Sequence, residues 1–217
     1  MTTTKYQWNW DDNYSIAYAE TSDPSVLLVI KRDLYPTAPD GDCYAPAYWW
    51  KWIGSGWRYD KAGDTFTDDT VIEAYVEARS RFGYDTASRF MQIFYDTALI
   101  RVNDSGDLPL LIFNTPAFRD YVGIDDTTIA ALEGDRHDWQ AYLDGDVFGI
   151  GYAVSETRTT TETPVDLDDV LQNWEINIEC SGFYGEEWAK SEAESYDPID
   201  LNLTPLLDFT NPEEVTL

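Results

Sequence analysis

The hydrophobic period of this chain changes at Asp68, and that change constrains the fold more than any other feature. Upstream, Tyr14, Ile16 and Tyr18 alternate, and Ser25 to Lys31 is a short, nearly continuous apolar run. A period of two puts successive side chains on opposite faces of a strand, and an unbroken run of that length suits a buried strand. Downstream, Val71, Ile72, Tyr75, Val76, Ala78 and Phe82 recur at helical spacing. Asp68 or Asp69 is placed to cap that helix and Gly83 to end it. A chain carrying both periods in alternating blocks is α+β.

The other segments fit that class. Tyr48, Trp50 and Trp52 share one side of a strand that Gly54-Ser55-Gly56 can turn back into Trp57 and Tyr59, a hairpin with an aromatic face. Residues 85–97 continue as a second helix, and residues 98–102 and 108–113 read as strands. Thr115-Pro116 is a cap followed by proline at the first helical position, predicting a helix to Tyr121 with Gly123 as its stop. Asp125-Asp126 opens another helix, through Ile129, Leu132, Trp139, Tyr142 and Leu143, with an interruption at Gly134. Residues 147–155 and 174–180 pair as a long-looped hairpin, and residues 186–195 form a short acidic helix. We expect one α+β domain over residues 1–197, with a mixed or antiparallel sheet and several short helices, and a C-terminal tail, 198–217, packed on it through Leu201, Leu203, Leu206, Leu207 and Phe209.

Composition narrows the functional classes. The chain has 217 residues, 43% hydrophobic and 15% aromatic, enough apolar area to offset chain entropy without staples. Against that core stands a net charge of −27, from 14 Lys and Arg and 41 Asp and Glu. A surface so negative repels nucleic acid and anionic membrane. The two cysteines, Cys43 and Cys180, lie far apart without nearby partner ligands, which argues against structural zinc and for reduced thiols. The apolar runs are strand-sized and the first residues lack the pattern of a signal peptide, so the expected location is cytoplasmic.

The stretches IFNTPAFRDYVGI, AYLDGDVFG and CSGFYGEEW, within residues 111–188, resemble a group of small uncharacterised acidic proteins of phages and other mobile elements of Gram-positive bacteria. In that group a strand leads into a short helix, a YLxGDVxG segment follows and a GFYG segment closes the pattern. The resemblance implies a mobile genetic element, whose product works in the host cell cytoplasm if phage-encoded. It implies no activity and no catalytic residue.

Catalytic constellations are weak. His137 is the only histidine, no nucleophile elbow occurs, and no glycine-rich phosphate loop is present, so no catalytic residue is assigned. Asp40-Gly41-Asp42, Asp144-Gly145-Asp146 and Asp166-Leu167-Asp168-Asp169 offer oxygen ligands but lack the alternation and closing glutamate of a calcium loop; tight turns explain them better, and no metal or cofactor is assigned. Trp49, Trp50, Trp52 and Trp57 are candidate aromatic anchors for a partner, although a core role for half of them is the commoner outcome.

The acids carry the strongest signal. Asp69, Glu73 and Glu77 recur every four residues, which aligns three carboxylates along one helix face opposite the apolar stripe. With Asp68 they form the first block of a candidate partner-binding surface. Asp125, Asp126, Glu133, Asp135 and Asp138 form the second, and Glu186, Glu187, Glu192 and Glu194 the third. Like charges so arranged cost stability, and solubility needs far fewer. The leading expectation is therefore a non-enzymatic interaction protein: a DNA mimic that occupies a basic host DNA-binding or defence protein of the restriction or CRISPR type, without binding nucleic acid or membrane itself. A homodimer is compatible with it. The alternative is a salt-adapted acidic protein of a halophile or its virus, since Asp outnumbers Glu 27 to 14 and Arg outnumbers Lys 9 to 5. A metal-assisted hydrolase using paired acids ranks third.

Overall fold

The computed structural model describes residues 6–54, 56–102, 109–123, 128–159 and 165–195. It shows an α+β protein with two antiparallel sheets, where the sequence pattern suggests one. The chain divides into two compact units, residues 35–145 and the two flanking segments 1–34 and 146–217.

In the unit made of the flanking segments, β1 (Trp8–Trp10), β2 (Ile16–Glu20), β3 (Val26–Arg32), β8 (Val147–Val154) and β9 (Glu175–Tyr184) lie side by side in that order. Helices cover both faces. Ile16, Tyr18, Leu27, Val29 and Ala153 point toward α5 (Leu167–Asn173) and pack with Val165, Val170 and Trp174. Ala17, Ile30, Phe148 and Ile150 point the other way, onto Ala189 and Ala193 of α6 (Glu186–Ser195). Residues 26–30 of β3 are accordingly buried on both sides, which is why that strand reads as an apolar run instead of alternating. The expected pairing of residues 147–155 with 174–180 is present as β8–β9.

The apolar pattern does not reveal β1 or α5. The first is three residues long. The second sits inside what reads as an acidic linker, yet Asp166 caps it by accepting from the Asp168 N–H at 3.2 Å.

In the central unit the strand order is β5 (Gly56–Lys61), β4 (Ala47–Ile53), β7 (Leu110–Asn114), β6 (Ala98–Val102). One face carries Tyr48, Trp50, Leu111 and Phe113 against Val71, Ile72, Tyr75 and Ala78 of α1 (Asp69–Phe82) and Ala87 and Met91 of α2 (Tyr84–Tyr95). The opposite face carries Ala47, Leu110 and Ile112 against Phe118 of α3 (Pro116–Val122) and Leu132 and Trp139 of α4 (Thr128–Asp144). Asp68 caps α1, its carboxylate accepting from the Val71 N–H at 3.4 Å; Thr115 caps α3 through the Phe118 N–H at 3.2 Å. Helix α4 runs without interruption through Gly134, because the packing of Leu132 and Trp139 to either side outweighs one glycine's helix penalty of about 1 kcal/mol. Asp125 and Asp126, expected to open α4, and the tail 198–217 lie outside the described residues.

Candidate interaction surface

The acidic positions separate into two kinds once their neighbours are known. On α1, Asp69 and Glu73 are exposed, on the side away from the buried Val71, Ile72, Tyr75 and Ala78. Glu77 continues the row one turn on and is bridged to Arg81 at 2.6 Å. The four-residue spacing puts these three carboxylates on one solvent-facing side, and the structure does the same. Asp68, by contrast, is occupied as the cap of the helix.

The α4 acids are mostly engaged within the unit. The Asp135 carboxylate accepts from the Ala45 N–H at 2.8 Å, and Asp138 accepts from the Tyr44 hydroxyl at 3.0 Å. Together they hold the segment that leads into β4. Burial pushes the Asp135 carboxyl up to about 6 despite the Ala45 bond, and the Asp138 charge adds to the rise. Burial also raises Asp138, against the lowering effect of Tyr44 and His137. His137 is itself exposed, its ring 3.4 Å from the Asp138 carboxylate. Glu133 is exposed and bridges Arg136 at 2.6 Å.

A similar division runs along α6. Glu186 accepts from the Trp10 indole N–H at 3.0 Å and pairs with Lys190; Glu194 accepts from the Trp8 indole N–H at 3.0 Å. These two acids fasten β1 to the helix. Glu187 and Glu192 have no such role: Glu187 is exposed, and Glu192 is half-buried.

The aspartate-glycine loops have internal explanations. Asp42 accepts from the Tyr121 hydroxyl at 3.1 Å, Asp144 from Gln140 at 3.0 Å, and Asp146 bridges Arg32 at 2.9 Å. Asp169 accepts from the Trp174 indole at 3.2 Å and from Asn173 at 2.7 Å. Among the described residues no group of three or more His, Cys, Asp or Glu could hold a metal. No helix of the described residues is long and apolar enough to cross a membrane.

The glycines of the YLxGDVxG and GFYG stretches are architectural. Gly145 ends α4 with φ of 73°. A Cβ on Gly149 would stand 2.7 Å from the Ile178 side chain, where β8 and β9 shift register. Gly185, at φ of 99°, donates its N–H to the Asp146 carbonyl at 2.8 Å, joining the two stretches. No protein-family model, curated protein or solved structure matches this chain.

Two of the four candidate tryptophans, Trp49 and Trp50, pack inside the central unit. Trp50 is buried, its ring edge-on to Tyr75 at 5.4 Å, and Trp49 is half-buried with its ring edge-on to Trp139 at 6.4 Å. Trp50 is therefore core and not an anchor. The side chains of Trp52 and Trp57 lie outside the described residues. Among the exposed large apolar side chains of this unit, Phe82, Ile93 and Phe94 of α1 and α2 are 57%, 72% and 70% exposed. Phe82 was expected in the buried stripe, but it sits in the last turn of α1, beyond the sheet-facing residues. A sequence signal existed in α2, where Phe90 and Ile93 extend the apolar arc well past Ala87 and Met91. That arc is wider than one buried face requires.

Proposed function

We propose that this chain is an acidic interaction protein that mimics the phosphate lattice of DNA and occupies the groove of a basic host DNA-binding or defence protein, of the restriction or CRISPR type, in the host cytoplasm. The observation that carries the reading is the row Asp69, Glu73 and Glu77 on the exposed side of α1. Four residues of helix advance about 6 Å, whereas duplex DNA carries one charge per about 1.7 Å of axis. A single row therefore supplies under a third of the duplex density, and a competent mimic presents several acidic elements to its partner. The overall charge of −27 supports that requirement. Aspartates and glutamates already committed inside the fold, Asp135, Asp138, Glu186 and Glu194, act through the folded shape; the contact falls to Asp69, Glu73, Glu77, Glu187 and Glu192.

The test is competition with DNA. The protein should leave DNA unbound, displace DNA from a basic partner captured from host lysate, and lose affinity steeply as salt rises. Changing Asp69→Asn, Glu73→Gln and Glu77→Gln together should slow association by about ten-fold while the protein stays folded. Unchanged association and salt slope in this variant, and in Glu187→Gln with Glu192→Gln, overturn the proposal. Unfolding below physiological salt would instead select the salt-adapted reading.

A further inference from the structure

We propose that Trp10 and Tyr14, where β1 turns into β2, form a stacking site for an arginine side chain presented by a basic partner. The site rests on the partner being basic, as in the function proposed above, and not on DNA mimicry. Tyr14 is 62% exposed, and its ring centre lies 5.9 Å from that of Trp10, with the two planes inclined at 39°. Trp10 is itself fixed, because Glu186 accepts from its indole N–H at 3.0 Å and Phe148 backs its ring at 5.8 Å. The backbone gives no reason for a tyrosine at position 14. Its φ is 53°, in the left-handed region that suits glycine or asparagine and that a bulky residue enters only at a cost. The loop imposes that conformation: the buried Asp11 carboxylate accepts from the Ser15 and Ile16 N–H groups at 2.6 and 3.0 Å, and the Tyr14 N–H donates to the Asp11 carbonyl at 3.0 Å. A tyrosine more than half exposed gains little packing in return for that strain, which points to recognition.

The charge around the rings favours a cation. On this face Arg32 is matched by Asp146 and Lys190 by Glu186, while Lys31 falls on the opposite face by strand alternation, with Leu27 and Val29. Asp12 remains, exposed in the same loop as Tyr14 and without a hydrogen bond or ion pair among the described residues. An anionic ligand is repelled by that charge, and a neutral one leaves it without a counterion. Among cations a guanidinium fits best, because it is planar, stacks flat on an aromatic ring and still points N–H groups edgewise at a carboxylate. The chain already contains that arrangement beside Trp10: the Arg32 guanidinium lies 5.6 Å from the Phe148 ring centre and bridges Asp146 at 2.9 Å. A partner's arginine would repeat it on Trp10 and Tyr14, with Asp12 as its carboxylate.

The probes are hexa-arginine and hexa-lysine peptides, titrated by calorimetry into the full chain at physiological salt. Both carry the same charge, so the general attraction of a chain of net charge −27 is common to them and the difference between them reads the stacking. The wild type should bind hexa-arginine about five-fold more tightly than hexa-lysine. Tyr14→Phe, which keeps the ring, should keep that preference. Tyr14→Asn, which suits the left-handed backbone but has no ring, should lose it, with hexa-lysine binding unchanged and the thermal melt not lowered. Tyr14→Leu, which keeps an apolar side chain without a ring, should lose the preference as well and decides the matter should Tyr14→Asn fail to fold. Equal binding of the two peptides by the wild type overturns the proposal, and so does a preference that survives the loss of the ring. A failed DNA competition beside an intact arginine preference would refute mimicry alone, and the reverse would refute this site alone.

Discussion

Replacing Asp135 by asparagine isolates the energetic cost of the acid that α4 buries. Asp135 sits beneath Tyr44-Ala45 with one backbone donor, the Ala45 N–H at 2.8 Å, and the Asp138 charge nearby. Its carboxyl is raised by burial from the ordinary 3.8 to about 6. The folded value lies above the unfolded one, so the folded state holds a proton more tightly. The stability this supplies is fully present below pH 3.8 and is lost as the pH rises through about 6. At about 1.4 kcal/mol per pH unit the full difference is about 3 kcal/mol, and partial solvent access brings the expected figure nearer to about 2 kcal/mol.

The amide that Asp135→Asn introduces would still accept from the Ala45 N–H through its oxygen, but it carries no charge. Urea unfolding followed by tryptophan fluorescence should therefore find Asp135→Asn more stable than the wild type by about 2 kcal/mol near pH 8, with the gap closing toward zero near pH 4. A pH-independent gap, or a variant less stable at pH 8, refutes burial as the cause. The first outcome would mean that Asp135 behaves as a solvated surface acid, the second that its charge stabilises the fold where it sits.

The remaining predictions use other parts of the fold. Gly134→Ala should stabilise by about 0.5–1 kcal/mol, because the added Cβ meets nothing within 4 Å in α4. Gly151→Ala should destabilise by about 3 kcal/mol or more, since its Cβ would fall 1.9 Å from the Asn177 carbonyl oxygen at the β8–β9 irregularity; thermal melts of the pair decide both signs. Glu186→Ala and Glu194→Ala should each cost about 1–2 kcal/mol by stranding the Trp10 and Trp8 indole N–H groups, while Glu192→Ala stays within about 0.5 kcal/mol by chemical denaturation. Native thiol titration should find Cys43 and Cys180 reactive, as both are free and exposed.

Most of the fold is legible in the sequence because the apolar spacing follows local geometry. The strand pair β8–β9 and helices α1, α2, α3 and α6 fall within a few residues of their expected bounds. What escapes is set by partners distant in sequence. Nothing local marks Trp8 to Trp10 as a strand: the Trp10 and Trp8 indoles are fixed by Glu186 and Glu194, 176 and 186 residues away. The same holds for the surface. The four-residue spacing identifies the α1 row because an amphipathic helix reveals which side faces water. On α4 it cannot separate Glu133, which points outward, from Asp135, which reaches back to Ala45, 90 residues earlier.

That distinction bears on what the acidity is for. An aspartate bonded to an indole or to a buried backbone N–H stabilises or shapes the fold, and its presence says nothing about a partner. In the proposed function, recognition falls to the acids that the fold leaves exposed, Asp69 and Glu73 above all. Their free energy of mutual repulsion, a few tenths of a kcal/mol for each four-residue pair, is not recovered within the described structure. If a partner recovers it, neutralising Glu73 should raise stability slightly and lower affinity together, whereas Asp69 also favours the first turn of α1, so neutralising it should lower affinity without raising stability. Neutralising Asp135 should raise stability and leave affinity alone. Measuring both quantities on each variant separates a surface shaped for recognition from one that is merely charged.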